Sequence, residues 1–228
     1  MKIIDLIKNR LRHSTINHRL SKLKNRDFTI ISNNCCGSLI YQLLGMKYTS
    51  PTVGVIIDKN YFFKLCYYLR DYCSVDMQEL NSEEENNKKY NCSAGIIKNI
   101  NGLDDIVVYF PHERSSKEAI RKWNYRKNRI NYQNLYIIYD THMYIAPDDY
   151  EDFYRIQCKN KVMFAEKTNI NIPNIFSFSC YKKDVYYSGI LIKEIIKFPF
   201  IYTKMDEFDF VNWLNTSTIG FNRKIRKD

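Results

Sequence analysis

The stretch "FTIISNNCCGSLIYQLLG", Phe28 to Gly45, decides how the chain is read. Phe28–Ser32 has the apolar, β-branched character of a buried strand. It runs into two asparagines and two cysteines. From Gly37 to Leu44 the apolar residues return at helical spacing, and Gly45 sits where a C-terminal cap belongs. A strand, a polar turn and a helix make the first two-thirds of a βαβ unit, whose turn lies at the carboxyl end of the strand. Open α/β sheets bind their ligands at such turns.

The pattern continues outward. "TVGVII" (Thr52–Ile57) is expected as a second buried strand, and "YFFKLCYYLRDYC" (Tyr61–Cys73) as an aromatic core helix. "NSEEENNKK" (Asn81–Lys89) is a polar surface insert. "DIVVYF" (Asp105–Phe110) is a strand ending at "PHE". Ser115 and Glu118 form the S-x-x-E start of the next helix. "NLYIIYD" (Asn134–Asp140) is a strand, Pro147, Asp148 and Asp149 open a helix, and "KVMFA" (Lys161–Ala165) is a short strand. Beyond Ile172, "FSFSC" and "GILIK" look strand-like and "EFDFVNWL" helical. Strands alternating with helices predict an α/β fold with a mostly parallel sheet. The expected organisation is a basic amphipathic N-terminal segment, residues 1–25, and one α/β domain, residues 26–228, either single or built from two intertwined halves.

The net charge is +10, and it sits at the ends. Residues 1–26 hold eight Lys and Arg against Asp5, which makes that segment +7 and leaves +3 for the rest. Ile3, Ile4, Leu6, Ile7 and Leu11 fall on one face of a helix there. Such a helix either lies in the interface of an anionic membrane or packs on its own domain with a solvated basic back. No motif for nucleic-acid binding accompanies the charge. Seven cysteines, odd in number and without a CxxC pair, argue against a disulfide framework or a structural zinc site. With no signal-peptide pattern and no apolar run of the ~20 residues that span a bilayer, the expected setting is the cytoplasm, or the inner face of the cytoplasmic membrane.

Three polar clusters follow strands, and in a parallel sheet they share one crevice: Asn33–Ser38, His112–Glu113 and Asp140. The first has one glycine, so it is neither a dinucleotide loop nor a P-loop. It keeps helix-start N–H groups for a phosphate. Asn33 and Asn34 either bind hydroxyls and base edges or cap the helix. Gly37 would let backbone approach a ligand, and Ser38 adds a hydroxyl. Cys35 is either a nucleophile or a small buried filler. His112 is either a general base or a structural histidine. On the helix "SSKEAIRKWNYRKNRIN", Ile120 and Trp123 face the core. Arg126 and Arg129 reach a phosphate or an acid, or form a solvated face. "LDD" and "PDD" read as a turn and a cap, so no metal site is expected.

These residues carry a resemblance. The Asn33-Asn34-Cys35 turn, Ser50-Pro51, and His112 followed by Glu118, Ala119, Trp123, Arg126, Arg129 and Ile130 resemble a bacterial family called exopolysaccharide biosynthesis proteins, the domain of unknown function 1919 family. The likeness covers roughly residues 25–215. It departs after Cys35, where the family shows Trp-Gly-Gly and this chain has Cys36, Gly37 and Ser38. The resemblance implies a three-layer α/β/α, Rossmann-like fold and a place in surface-polysaccharide assembly.

The leading expectation is a metal-independent glycosyltransferase that needs no cofactor and takes a nucleotide sugar as co-substrate. Its acceptor would be lipid-linked or an oligosaccharide, His112 would be the base, and Asn33, Asn34, Gly37, Ser38, Arg126 and Arg129 would bind substrate. The alternatives are an acyltransferase or hydrolase with Cys35 as nucleophile, His112 as base and Asp140 orienting it, or a non-catalytic sugar- or nucleotide-binding protein.

Overall fold

The computed structural model describes residues 3–86, 88–98, 101–141, 147–166, 173–181 and 188–222. Eight helices are present among them: α1 (Ile3–Lys22), α2 (Cys36–Leu43), α3 (Lys59–Tyr67), α4 (Leu69–Ser74), α5 (Ser82–Asn86), α6 (Ser116–Lys127), α7 (Pro147–Arg155) and α8 (Phe210–Thr216). The strands are β1 (Thr29–Ser32), β2 (Ser93–Ile97), β3 (Ile106–Phe110), β4 (Leu135–Asp140), β5 (Asn160–Phe164), β6 (Ile175–Phe176), β7 (Glu194–Lys197) and β8 (Phe200–Thr203). The mixed α/β class follows from the alternation in the sequence.

A parallel sheet in the order β1-β4-β5-β6 forms the centre. Its strands are short, nearly continuous apolar runs, as strands buried on both faces must be. Side chains alternate between two hydrophobic clusters. Ile31, Ile137, Tyr139 and Met163 face one, with Phe62, Phe63, Trp123 and Phe153 packed over them. Ile30, Tyr136, Ile138, Val162 and Phe164 face the other, with Ile40, Tyr41, Phe208, Phe210 and Trp213. Trp123 and Ile120 are core residues, as the helical spacing predicts.

Two expected members of the parallel sheet are elsewhere. "DIVVYF" becomes β3, which pairs antiparallel with β2 in a separate two-stranded sheet. Asn101 and Gly102, both at positive φ (51° and 81°), turn the chain back between them. "TVGVII" contributes one bridge, Ile56 to Tyr109, because Gly54 at φ +67° breaks the extended run. "GILIK" holds a 3₁₀ turn, Ser188–Ile192, ahead of the antiparallel β7–β8 pair. The aromatic helix is interrupted at Tyr68, giving α3 and α4.

The two halves of α1 differ. Ile4, Leu6 and Ile7 are exposed, whereas Thr15 and Arg19 are buried. Arg19 donates to both oxygens of Asp206 at 2.7 Å and to the Leu43 carbonyl at 2.8 Å. Burial pushes the Asp206 carboxyl up from its ordinary value, against the pull of the guanidinium beside it. Asp206 also accepts from the backbone N–H and hydroxyl of Thr203. Removing one member of such a pair strands the other in the interior. Arg19→Ala should therefore cost about 3–5 kcal/mol. Urea unfolding measures it; a loss below ~1 kcal/mol would mean that α1 is held by its apolar contacts instead.

Candidate active site

β1 and β4 are neighbours, yet the helices that follow them go to opposite faces. α2 buries Ile40 and Tyr41 in one cluster and α7 buries Phe153 in the other. The carboxyl ends of β1 and β4 thus mark a topological switch point, where α/β folds open a crevice. Asn33 and Asn34 follow the first strand and Asp140 ends the second.

These three residues bind one another. Asn33 pairs with the backbone of Asp140, donating from Nδ2 to its carbonyl and accepting at Oδ1 from its N–H, both at 2.9 Å. Asn34 Nδ2 donates to Asp140 Oδ2 at 2.7 Å, and its Oδ1 accepts from the N–H of Cys36 at 2.9 Å. The Cys36 thiol lies 3.5 Å from the same Oδ2, and the Tyr181 hydroxyl donates to Oδ1 at 3.2 Å. Asp140 is fully buried. Burial, and then the Asp140 carboxylate, push the Cys36 thiol well up, so it stays a neutral donor.

The mutual bonding changes the expected roles. Two helix-start N–H groups are already taken, Cys36 by Asn34 and Gly37 by the Ser32 hydroxyl at 3.2 Å. Gly37 faces β1 and not the crevice. A Cβ there would stand 2.6 Å from Ser32 Oγ, so the glycine lets α2 start against the strand. The carboxylate of Asp140 is directed at Asn34, Cys36 and Tyr181, and no hydrogen bond joins it to His112.

Above this layer lies an open cleft of about 410 Å³, within the range of small-ligand sites. Asn34, Cys35, Ser38, His112 and Arg126 line it, so five of the predicted site residues come together. Asn33, Gly37, Asp140 and Arg129 do not reach it. Cys35 Sγ lies 3.3 Å from His112 Nε2. Ser38 donates to the Cys35 carbonyl at 2.7 Å, holding the first turn of α2. Burial pushes the Cys35 thiol up. Arg126 has no hydrogen-bond acceptor among the described residues. Its guanidinium sits 5.3 Å over the Tyr48 ring, and burial lowers its pKa. Arg129 instead donates to the Tyr48 carbonyl and lies over Tyr125, in an adjoining groove. Glu113 is held by Lys122 at 2.7 Å.

Tyr48, Gln42 and Glu113 also line the cleft. Glu113 was legible as the neighbour of His112, and Gln42 as the residue one helical turn after Ser38. Nothing in the sequence around Tyr48 marks it. Among the described residues, no three His, Cys, Asp or Glu side chains gather as a metal-ligand set.

The fold and cleft define an α/β protein with a cysteine–histidine pair in a ligand-sized crevice. The chain belongs to the family described as Domain of unknown function (DUF1919), whose model matches residues 6–215. It is also 27% identical over 200 residues to an uncharacterized protein of Haemophilus influenzae, a match that spans 85% of this chain and 87% of that protein.

Two outcomes follow from the geometry. Asp140→Ala removes an acceptor shared by three buried donors and should lower the unfolding free energy by about 3 kcal/mol or more, since each hydrogen bond to a charged group is worth ~1.5–3 kcal/mol. Burial favours the neutral Cys35 thiol, so its thiolate should form only above the ordinary thiol range near pH 8.5. Iodoacetamide labelling of Cys35, mapped by mass spectrometry against pH, should rise through that higher value. An inflection below pH 7 would show a standing thiolate–imidazolium pair instead.

Proposed function

We propose that the protein is a group-transfer enzyme of surface-polysaccharide biosynthesis, built on a three-layer Rossmann-like fold, with Cys35 as nucleophile and His112 as its base. The observation that carries this reading is the 3.3 Å contact between Cys35 Sγ and His112 Nε2 inside the cleft. The raised thiol value means that the proton leaves during the reaction and not before it. As sulfur adds to the carbonyl of an activated acyl donor, His112 Nε2 takes the thiol proton. The leaving group takes that proton when the tetrahedral adduct collapses, and a thioester on Cys35 remains. An acceptor hydroxyl, or water in a hydrolase, then adds to the thioester as His112 takes its proton. His112 returns that proton to the departing sulfur. Arg126 holds the anionic part of the donor. Asp140 acts through the turn, by fixing Asn34 and hence Cys35, and is a positioning residue.

A second reading is a glycosyltransferase with a nucleotide-sugar donor. The half-buried, unpaired Arg126 guanidinium supports it, since such a group suits a diphosphate. His112 would then take the acceptor proton and Cys35 would pack beside the donor.

Incubation with a panel of acyl-coenzyme A thioesters and nucleotide sugars, followed by intact-protein mass spectrometry and turnover assays, separates the two. The covalent reading expects an acyl adduct on Cys35 that Cys35→Ser abolishes, together with a loss of several orders of magnitude in rate. The glycosyltransferase reading expects a mild Cys35→Ser effect and a loss of about 10²–10⁴-fold in His112→Ala. Full activity in both variants would overturn both readings.

A further inference from the structure

Every exposed leucine and isoleucine among the described residues lies in one of two neighbouring stretches. Ile4, Leu6 and Ile7 occupy the start of α1, and Ile192 and Ile196 flank the start of the β7–β8 hairpin. Phe198, at the turn of that hairpin, is 86% exposed. Ion pairs tie the two stretches together. Arg12 grips Glu194 Oε1 at 2.7 Å, and Lys8 lies 4.0 Å from the same carboxylate. Glu194 and Ile196, two residues apart on β7, point to the same side of the strand. The first half of α1 therefore lies beside the hairpin.

We infer that this composite face docks on the surface of an anionic phospholipid bilayer. Lys8, Arg10 and Arg12 share the first half of α1 with the apolar residues, and Lys193 and Lys197 lie in the hairpin stretch beside them, against Asp5 and the already paired Glu194. Apolar side chains that sink to the headgroup–acyl boundary, rimmed by cations that meet the headgroups, are what interfacial binding requires. No helix among the described residues is long and apolar enough to cross a membrane, so the protein lies on the bilayer by this face. A second copy of the chain is the poorer occupant. A two-fold interface would set the same basic rim against itself, a like-charge juxtaposition that opposes pairing.

The face adjoins the cleft. Ile192 belongs to both, and the buried Leu191 beside it also lines the cleft wall. If the cleft is the active site, which rests on the proposal above, its mouth opens at the lipid surface and its acceptor is a lipid-anchored saccharide.

Co-sedimentation of the full chain with vesicles of phosphatidylglycerol and phosphatidylcholine (1:1) tests the docking. Binding should be at least tenfold stronger than to pure phosphatidylcholine and should weaken with salt. The double variant Ile7→Asp/Phe198→Asp should lose at least tenfold in partition coefficient while its urea midpoint stays put, because both residues are exposed. Cys35→Ser should bind like the parent, so a failure of the proposed chemistry leaves this result untouched. Equal vesicle binding by the double variant would overturn the inference. So would a protein that ignores vesicles and sediments as a dimer which the same substitutions make monomeric.

Discussion

A carboxylate with no access to water has to find its hydrogen bonds inside the protein, and the end of the central sheet is organised around that demand. Asp140 closes β4 at a point where neither oxygen is exposed. Asn34, Cys36 and Tyr181 reach it from the turn after β1 and from the segment after β6. Asn33 meanwhile matches its amide to the Asp140 backbone, continuing the β1–β4 pairing by one more rung. Asn33, Asn34 and Cys36 are tied to Asp140, and the same turn carries Cys35 to His112, which follows β3.

This explains why the turn was legible as a candidate site while the facing of its members was not. The residue types and their position after a strand were visible in the sequence. Which of them face in and which face out depends on the partner strand, more than one hundred residues away. Asn33 and Gly37 look like ligand-facing groups until β4 and Ser32 are placed against them. Arg126 sits in the last turn of α6 and Arg129 just beyond it, and only Arg126 reaches the cleft, while both line the adjoining groove beside Tyr48. A tyrosine from a loop carries no periodic signal that would announce this.

The sheet tells a similar story. The four-stranded parallel core was foreshadowed by β1, β4 and β5, whose apolar runs have nothing else to do. The antiparallel β2–β3 pair was not read from the sequence, although its connection holds Asn101-Gly102, a dipeptide that favours two consecutive residues at positive φ. The polar insert before β2 masked it. In the last third, aromatic residues are so dense that strand and helix patterns overlap. There the core is a cluster of Phe164, Phe176, Phe178, Phe208 and Trp213, whose rings meet mostly edge-on or tilted. Tertiary packing, and not local pattern, settled those elements.

α2 is a short rod, about 12 Å from end to end at the usual helical rise. Cys35 stands at its first turn. At its other end Gly45 abuts Ile16 so closely that a Cβ would come within 2.9 Å, and the Leu43 carbonyl is held by Arg19. The long N-terminal helix and the Cys35 sulfur therefore meet the two ends of one short helix. Contacts from the N-terminal helix and from His112 thus converge on the two ends of one eight-residue element.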